Sequence, residues 1–168
     1  MHNDKKICNH DLKPDNILID QNFDVKIADF GFSCELNTSK LTNFKTGTTG
    51  YMLPEQFRKK PYNGRDADLF ASAVVLFMML TGCMPFNAAK DDDEYYMFIV
   101  KGRFEQFWSI FKDAAPNISQ EAKELLYTMF EKDPASRLTL EELKVHPWVT
   151  DETLSETDVI KEMSKRMN

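Results

Sequence analysis

One segment limits the possible folds of this chain more than any other: residues 66–80, which are apolar on nearly every side of a helix. A helix that is apolar all round belongs inside a core, because any outer face would expose apolar surface to water. Gly82 can cap the C-terminal end of this helix, and Pro85 stands just beyond it. The sequence therefore predicts a domain in which other elements surround one buried helix.

The chain beyond this segment keeps a helical pattern. A shorter helix is predicted over residues 95–100, and Ser119 can cap a longer one. The apolar stripe of that longer helix repeats at helical spacing: Ala122, Leu125, Leu126, Met129 and Phe130. Thr139 and Glu142 form a capping box, in which each side chain satisfies an otherwise unpaired backbone N–H. Residues 150–168 form a polar tail whose apolar spacing favours a further helix.

The first third of the chain has a different pattern. Residues 17–19 and 25–28 are short β-type runs with a polar turn between them, so they predict a hairpin. Residues 31–54 are polar and have no sustained period, which indicates a long loop. Loops of this length in a compact domain are usually functional or disordered. The predicted fold class is therefore mainly α with a small β-hairpin.

Composition narrows the classes of function. With 168 residues, 42% of them hydrophobic, the chain fits one domain with a sizeable core, and its net charge of -6 does not favour nucleic-acid binding. Its three cysteines have no paired or CxxC spacing, which argues against a disulfide framework and against zinc, and favours a reducing compartment. No signal peptide is visible, and the apolar run 69–80 is too short to span a bilayer. We therefore expect a cytoplasmic protein without nucleic-acid or membrane partners.

Two aspartates are candidate catalytic or metal-binding residues. Asp11 and Asp29 each stand beside a strand-like run, and Lys13 and Asn16 lie between them. A carboxylate, an ammonium and an amide in one loop can orient a hydroxyl, neutralise a phosphate and hold a metal ion. Asp29 offers the hard oxygen ligands that Mg²⁺ prefers. Taken singly, each of these residues has a plainer interpretation as a turn or cap residue.

Taken together, these residues belong to an ordered set of motifs that resembles the eukaryotic protein kinase superfamily. The family signature runs H-R-D-L-x-x-x-N, then D-F-G, then A-P-E. This chain has, in the same order, Asn9-His10-Asp11-Leu12-Lys13-Pro14-Asp15-Asn16, Asp29-Phe30-Gly31 and Leu53-Pro54-Glu55. The resemblance covers residues 1–149 and implies a protein-kinase-like fold. It is nearest the calcium/calmodulin-dependent group of serine/threonine kinases.

The resemblance implies roles in Mg²⁺-ATP-dependent phosphoryl transfer to a protein hydroxyl. Asp11 would accept or orient the proton of the substrate hydroxyl, and Lys13 would stabilise charge on the transferred phosphoryl group. Asn16 and Asp29 would hold the Mg²⁺ ions that bridge the ATP phosphates. Leu18 would pack under the adenine.

Other positions would serve the substrate or the scaffold. Thr48 would bond near the catalytic aspartate, and Asp15 stands where some kinases hold an acidic residue for a substrate arginine. Glu55 and Arg137 would form a buried ion pair that joins the loop to the helical body. Asp68 would accept backbone N–H bonds from the catalytic loop.

The chain departs from the family where Asn9 and His10 replace the usual His-Arg. We expect Asn9 to weaken a ring stack under Phe30, and His10 lacks the bidentate fork of arginine. Two hypotheses therefore stay open. The chain is part of a serine/threonine kinase, or it is a degenerate kinase lobe that acts as a binding or scaffold module.

The resemblance also predicts what lies outside these motifs. Residues 1–149 would be the C-terminal lobe, with the N-lobe β-sheet, its Gly-rich loop and its lysine not included. The chain would then be a fragment, inactive alone, with a partly bare apolar face on the 66–80 helix that a partner or the N-lobe covers. For the tail, residues 155–168 would be either a docked regulatory helix or a solvated one.

Overall fold

The computed structural model describes residues 1–3, 5–36, 45–151 and 153–166, which form four short strands and eight helices. The strands are β1 (Ile7–Cys8), β2 (Ile17–Ile19), β3 (Val25–Ile27) and β4 (Cys34–Glu35). The helices are α1 (Pro54–Phe57), α2 (Gly64–Thr81), α3 (Glu94–Val100), α4 (Phe104–Ile110), α5 (Gln120–Met129), α6 (Leu140–Val145), α7 (Pro147–Thr150) and α8 (Glu156–Arg166). Single 3₁₀ turns occupy Pro14–Asn16 and Thr49–Tyr51. The predicted mainly helical fold with a small hairpin is confirmed.

Helix α2 is the buried helix that the sequence predicts. It begins slightly earlier than the apolar run, because the Asn63 side chain accepts a hydrogen bond from the Arg65 backbone N–H and caps the helix there. It ends where Gly82 adopts a left-handed φ of 70°, a conformation that glycine reaches without steric cost. Within the described residues, no helix has the length and apolarity needed to cross a membrane.

The core around α2 is largely aromatic. Phe77, which is fully buried, packs against Trp108 at 5.5 Å and Phe107 at 5.7 Å between ring centroids. Both partners lie on α4, a helix that the sequence patterns did not predict. Phe70 packs against Phe130 just beyond the C-terminal end of α5, at 5.6 Å. These rings bury large apolar areas and fix α2 between α4 and α5.

Two small antiparallel sheets precede the helices. Strands β2 and β3 form the predicted hairpin, in the register Ile17↔Ile27. The second sheet pairs β1 with β4, and it brings Cys8 opposite Cys34. Each of these strands has only two residues, too few for a periodic pattern, so the sequence showed residues 1–16 and 31–54 as irregular. Residues 37–44 of that loop lie outside the described residues.

The predicted caps of the later helices are present. Ser119 Oγ accepts a hydrogen bond from the Ala122 N–H at the start of α5, and Thr139 and Glu142 form the capping box of α6. Helix α8 lies in the tail for which a helix was predicted, and residues 152, 167 and 168 lie outside the described residues. None of the described residues 156–166 is buried. A regulatory role for this helix stays a prediction.

A buried ion pair joins α1 to the helical body. Arg137 donates from Nη1 to Glu55 Oε1 at 2.9 Å and from Nη2 to Glu55 Oε2 at 3.0 Å. Their side chains are 2% and 4% exposed. Arg137 Nε also donates to the Glu131 carbonyl at 2.8 Å, and its guanidinium lies 5.6 Å from the centroid of the Phe70 ring. The predicted pairing of Glu55 with Arg137 is therefore present, with most donors satisfied.

We expect Arg137→Met to lower the free energy of unfolding by about 3–5 kcal/mol, because it leaves the Glu55 carboxylate buried without its partner. Replacing both residues, as Glu55→Leu with Arg137→Met, should recover part of that loss, since no buried charge remains. Urea denaturation followed by circular dichroism measures both.

Lys132→Met is the matched control, because Lys132 forms an exposed ion pair with Asp91 at 3.0 Å. Loss of this exposed ion pair should lower the free energy of unfolding by no more than about 1 kcal/mol. A similarly small loss for Arg137→Met would contradict a structural role for the buried pair.

Candidate active site

The loop of residues 9–16 is attached to helix α2 through one carboxylate. Asp68, only 1% exposed, accepts hydrogen bonds from the backbone N–H of Asn9 at 2.8 Å and of His10 at 2.7 Å. His2 Nε2 lies 2.7 Å from the same carboxylate. His10 has a positive φ of 65°, a conformation that is uncommon for residues other than glycine. The backbone hydrogen bonds to Asp68, which the sequence predicted, hold the loop in this conformation.

Asp11 is the centre of a cluster of polar groups. Its Oδ1 accepts hydrogen bonds from the Thr48 backbone N–H at 2.9 Å and from Thr48 Oγ1 at 2.8 Å. Its Oδ2 accepts from Lys13 Nζ at 2.7 Å. Lys13 Nζ also donates to Thr48 Oγ1 at 2.9 Å. The structure thus brings together three residues that are up to 37 positions apart in the chain.

These contacts alter the proton affinities of both charged groups. Burial of the Asp11 carboxyl opposes its ionisation, but the hydrogen bonds from Lys13 and Thr48 outweigh burial and lower the pKa of Asp11. The hydrogen bond to Asp11 raises the pKa of Lys13. At neutral pH the cluster therefore holds an ionised carboxylate beside an ammonium.

Asn16 and Asp29 lie at the other end of the loop. Asn16 Nδ2 donates to the Asp11 backbone carbonyl at 2.9 Å and to Asp11 Oδ2 at 3.2 Å. The Asn16 carbonyl accepts a hydrogen bond from the Ala28 N–H at 2.8 Å, which brings the Asp29 segment next to it. Asp29 has a φ of 54°, and its Oδ1 accepts from the Gly31 N–H at 3.0 Å. An amide and a carboxylate in this position are oxygen donors of the kind that fit Mg²⁺.

Asn9 has a role that the sequence analysis missed. It is fully buried, its Nδ2 donates to the Asp29 backbone carbonyl at 2.9 Å, and its Oδ1 accepts from the Asp11 N–H at 3.0 Å. One side chain therefore connects the two aspartates through their backbones. The departure from the family signature had suggested only a weakened ring stack, because spacing does not show which groups a buried amide can reach.

The remaining predicted residues lie at the surface. Leu18 is 52% exposed on β2, and Asp15 and Thr48 are exposed as well. The expected partly bare apolar face on α2 is small: Met79 is 78% exposed, while the aromatic core encloses most of that helix. The larger set of exposed apolar side chains lies on the hairpin and just after it: Leu18, Ile19, Val25, Ile27, Phe30 and Phe32.

The sequence is similar to protein kinases over most of its length. A protein-family model described as "Protein kinase domain" matches residues 1–149. Serine/threonine-protein kinase DCLK3 of Mus musculus is 38% identical over 154 residues, which cover 89% of this chain and 18% of that protein. Mitosis inducer protein kinase cdr2 of Schizosaccharomyces pombe is 33% identical over 147 residues (86% of this chain, 17% of that protein).

A plant relative gives the same result. CBL-interacting serine/threonine-protein kinase 5 of Arabidopsis thaliana is 34% identical over 146 residues, which cover 85% of this chain and 31% of that protein. The chain thus spans less than a third of the length of each of these three relatives.

We expect Lys13→Met to raise the pKa of Asp11, because it removes both the hydrogen bond and the positive charge at Oδ2. In the wild type, the lowered pKa means that the bonds to Asp11 stabilise the fold above the unfolded pKa. That contribution is lost as the pH falls through the lower folded value. A ¹³C NMR titration of the Asp11 carboxyl carbon measures the shift.

The control is Lys26→Met, which removes an exposed ammonium that pairs with Asp20 and Asp24 on the hairpin. It should leave the Asp11 titration unchanged. An Asp11 pKa that stays the same in Lys13→Met would show that the ammonium does not govern this carboxyl.

Proposed function

Because this chain belongs to the protein kinase family, with serine/threonine kinases among its relatives, we propose that it carries the catalytic residues for Mg²⁺-ATP-dependent phosphoryl transfer to a protein serine or threonine hydroxyl. The cluster of Asp11, Lys13 and Thr48 carries this proposal. Its carboxylate already binds an aliphatic hydroxyl, that of Thr48, and an ammonium contacts both groups.

A substrate hydroxyl presented to Asp11 would be held in the same way. The ionised carboxylate would orient the hydroxyl and accept its proton as the oxygen attacks, a contribution worth about 10²–10⁴-fold in rate. Lys13 would offset negative charge on the transferred phosphoryl group. Thr48 would position both side chains, since it contacts each of them.

Nucleotide and metal would lie towards Asn16 and Asp29. Their oxygen atoms would hold Mg²⁺, which when bound neutralises charge on the phosphates. Leu18 is half-exposed beside this end of the loop, so it offers apolar surface for an adenine ring. Asp15, also exposed, would contact a basic residue of the protein substrate.

The same resemblance supports a proposal for the lobe and for the group of kinases. The chain would be the C-terminal lobe of a kinase of the calcium/calmodulin-dependent type, with the second wall of the ATP site contributed by an N-lobe. Exposed apolar side chains on the hairpin support this arrangement, because they form a surface that another lobe or a partner would cover. Cytoplasmic location stays a prediction.

A second candidate function is favoured by one observation. Asn9 and His10 stand where the family signature has His-Arg, and burial lowers the pKa of His10, so its ring is neutral near pH 7. The absence of this arginine from the loop favours a degenerate kinase lobe, which binds a partner protein and does not catalyse phosphoryl transfer. Catalysis and scaffolding differ in whether phosphate is transferred.

The test uses the complete gene product, incubated with Mg²⁺ and γ-labelled ATP and a mixture of serine- and threonine-containing peptides. We expect label to enter the peptides, and Asp11→Asn to slow this transfer by about 10²–10⁴-fold while Mg²⁺-ATP still raises the melting temperature. Asp29→Asn should weaken the Mg²⁺-ATP stabilisation itself, because it removes a proposed metal ligand.

Asp24→Asn, an exposed aspartate of the hairpin, is the control and should change neither result. Transfer that is absent from the wild type, together with no stabilisation by Mg²⁺-ATP, would reject catalysis and leave the scaffold function. Transfer that persists unchanged in Asp11→Asn would reject the role proposed for Asp11.

A further inference from the structure

Three potential soft-metal ligands converge beside the 9–16 loop, outside the cluster around Asp11. Cys8 on β1, His10 two residues later and Cys34 on β4 each offer a ligand atom, and these atoms lie within 4.8 Å of one another. Cys8 Sγ is 3.2 Å from Cys34 Sγ and 3.5 Å from His10 Nε2. We propose that this cluster binds one Zn²⁺ ion through two thiolates and one imidazole.

The separations suit a single ion. Zinc binds sulfur at about 2.3 Å and nitrogen at about 2.0–2.1 Å with tetrahedral angles, so two ligand atoms of one site lie roughly 3.5–3.8 Å apart. The distances at Cys8 need to change by only about half an ångström to meet this geometry. Cys34 Sγ lies 4.0 Å from His10 Nδ1, so the imidazole has to turn until one nitrogen faces both sulfur atoms. A pair of thiols with an imidazole selects zinc over Mg²⁺ or Ca²⁺, which prefer oxygen donors.

Charge and protons balance when the ion binds. Each thiol releases its proton to solvent, and the two thiolates neutralise the two positive charges of Zn²⁺. Cys34 is exposed, so water can reach the fourth coordination position. Three protein ligands and one open position is an arrangement that zinc adopts in proteins.

The surrounding residues hold the ligands in place. The β1–β4 ladder sets Cys8 opposite Cys34, and Asp68 fixes the backbone of His10 in its left-handed conformation. The His10 ring also packs edge-on against the Tyr62 ring, with 5.8 Å between the ring centroids. Residue 64 has to be small, because a Cβ on Gly64 would collide with Cys8 Sγ.

The odd number of cysteines, without paired or CxxC spacing, had argued against zinc. In the structure, the β1–β4 ladder brings together Cys8 and Cys34, which are 26 residues apart. A bound ion would link the residue before Asn9 to the segment just after Gly31. It would therefore tie together the two segments that carry Asp11 and Asp29, whether or not the protein transfers phosphate.

The test is Co²⁺ titration of the purified, reduced and metal-free chain, followed by displacement with Zn²⁺. We expect one Co²⁺ per chain, with the strong visible bands of tetrahedral cobalt and a thiolate-to-metal charge-transfer band, both abolished by Zn²⁺. Cys34→Ser should weaken Co²⁺ binding by at least about tenfold, because it removes a direct ligand. Loss of a residue that only hydrogen-bonds to a metal ligand already lowers metal affinity by about 10–100-fold.

Two further variants separate ligation from folding. His10→Asn removes the imidazole but suits the positive φ, since asparagine tolerates that conformation, and it should also weaken binding. Cys83→Ser, at an exposed cysteine outside the cluster, should bind Co²⁺ as the wild type does.

Two results would overturn the proposal. The first is the absence of thiolate-to-cobalt bands in the wild type, or bands that persist unchanged in Cys34→Ser. The second is a Cys8–Cys34 disulfide in the protein as isolated, found by mass spectrometry under non-reducing conditions, with no metal bound after reduction. Neither result bears on phosphate transfer, which is measured separately.

Discussion

A single carboxylate connects the core of this protein to its candidate chemistry. Asp68 belongs to α2, the helix that the aromatic core encloses, yet its two oxygens accept the backbone N–H groups of Asn9 and His10. Hydrogen bonds to a charged group contribute about 1.5–3 kcal/mol each, more than bonds between neutral groups. The buried charge and the loop therefore depend on each other. Without those donors the carboxylate would be costly to bury.

The contacts further along the loop follow from this attachment. Once Asn9 is fixed, its amide reaches the backbone of both Asp11 and Asp29, so the two carboxylates keep a set spacing. Thr48 and Lys13 then complete the hydrogen bonds around Asp11. His10, held by the same carboxylate, is directed towards the two cysteines instead. Both proposed sites thus rest on one anchored stretch of backbone.

The sequence predicted what local signals determine. Helix α2 and the β2–β3 hairpin follow from apolar patterning and turn residues, and motif order alone predicts Asp11 and Asp29 as candidate site residues. The β1–β4 ladder could not be predicted, because two-residue strands carry no period and their pairing depends on the whole fold. The bridging role of Asn9 was hidden for a similar reason, since a buried amide takes its function from the groups that tertiary structure places beside it.

Amide hydrogen exchange in Asp68→Asn tests the anchoring of the loop most directly. The asparagine keeps the volume of the side chain but leaves one acceptor oxygen for two N–H donors. We expect exchange at Asn9 or His10 to become about 10–100-fold faster, which corresponds to the loss of a hydrogen bond to a charged group. The same change at Asp66, on the same helix, should leave both amides protected. Unchanged protection in Asp68→Asn would contradict the dependence of the site on this carboxylate.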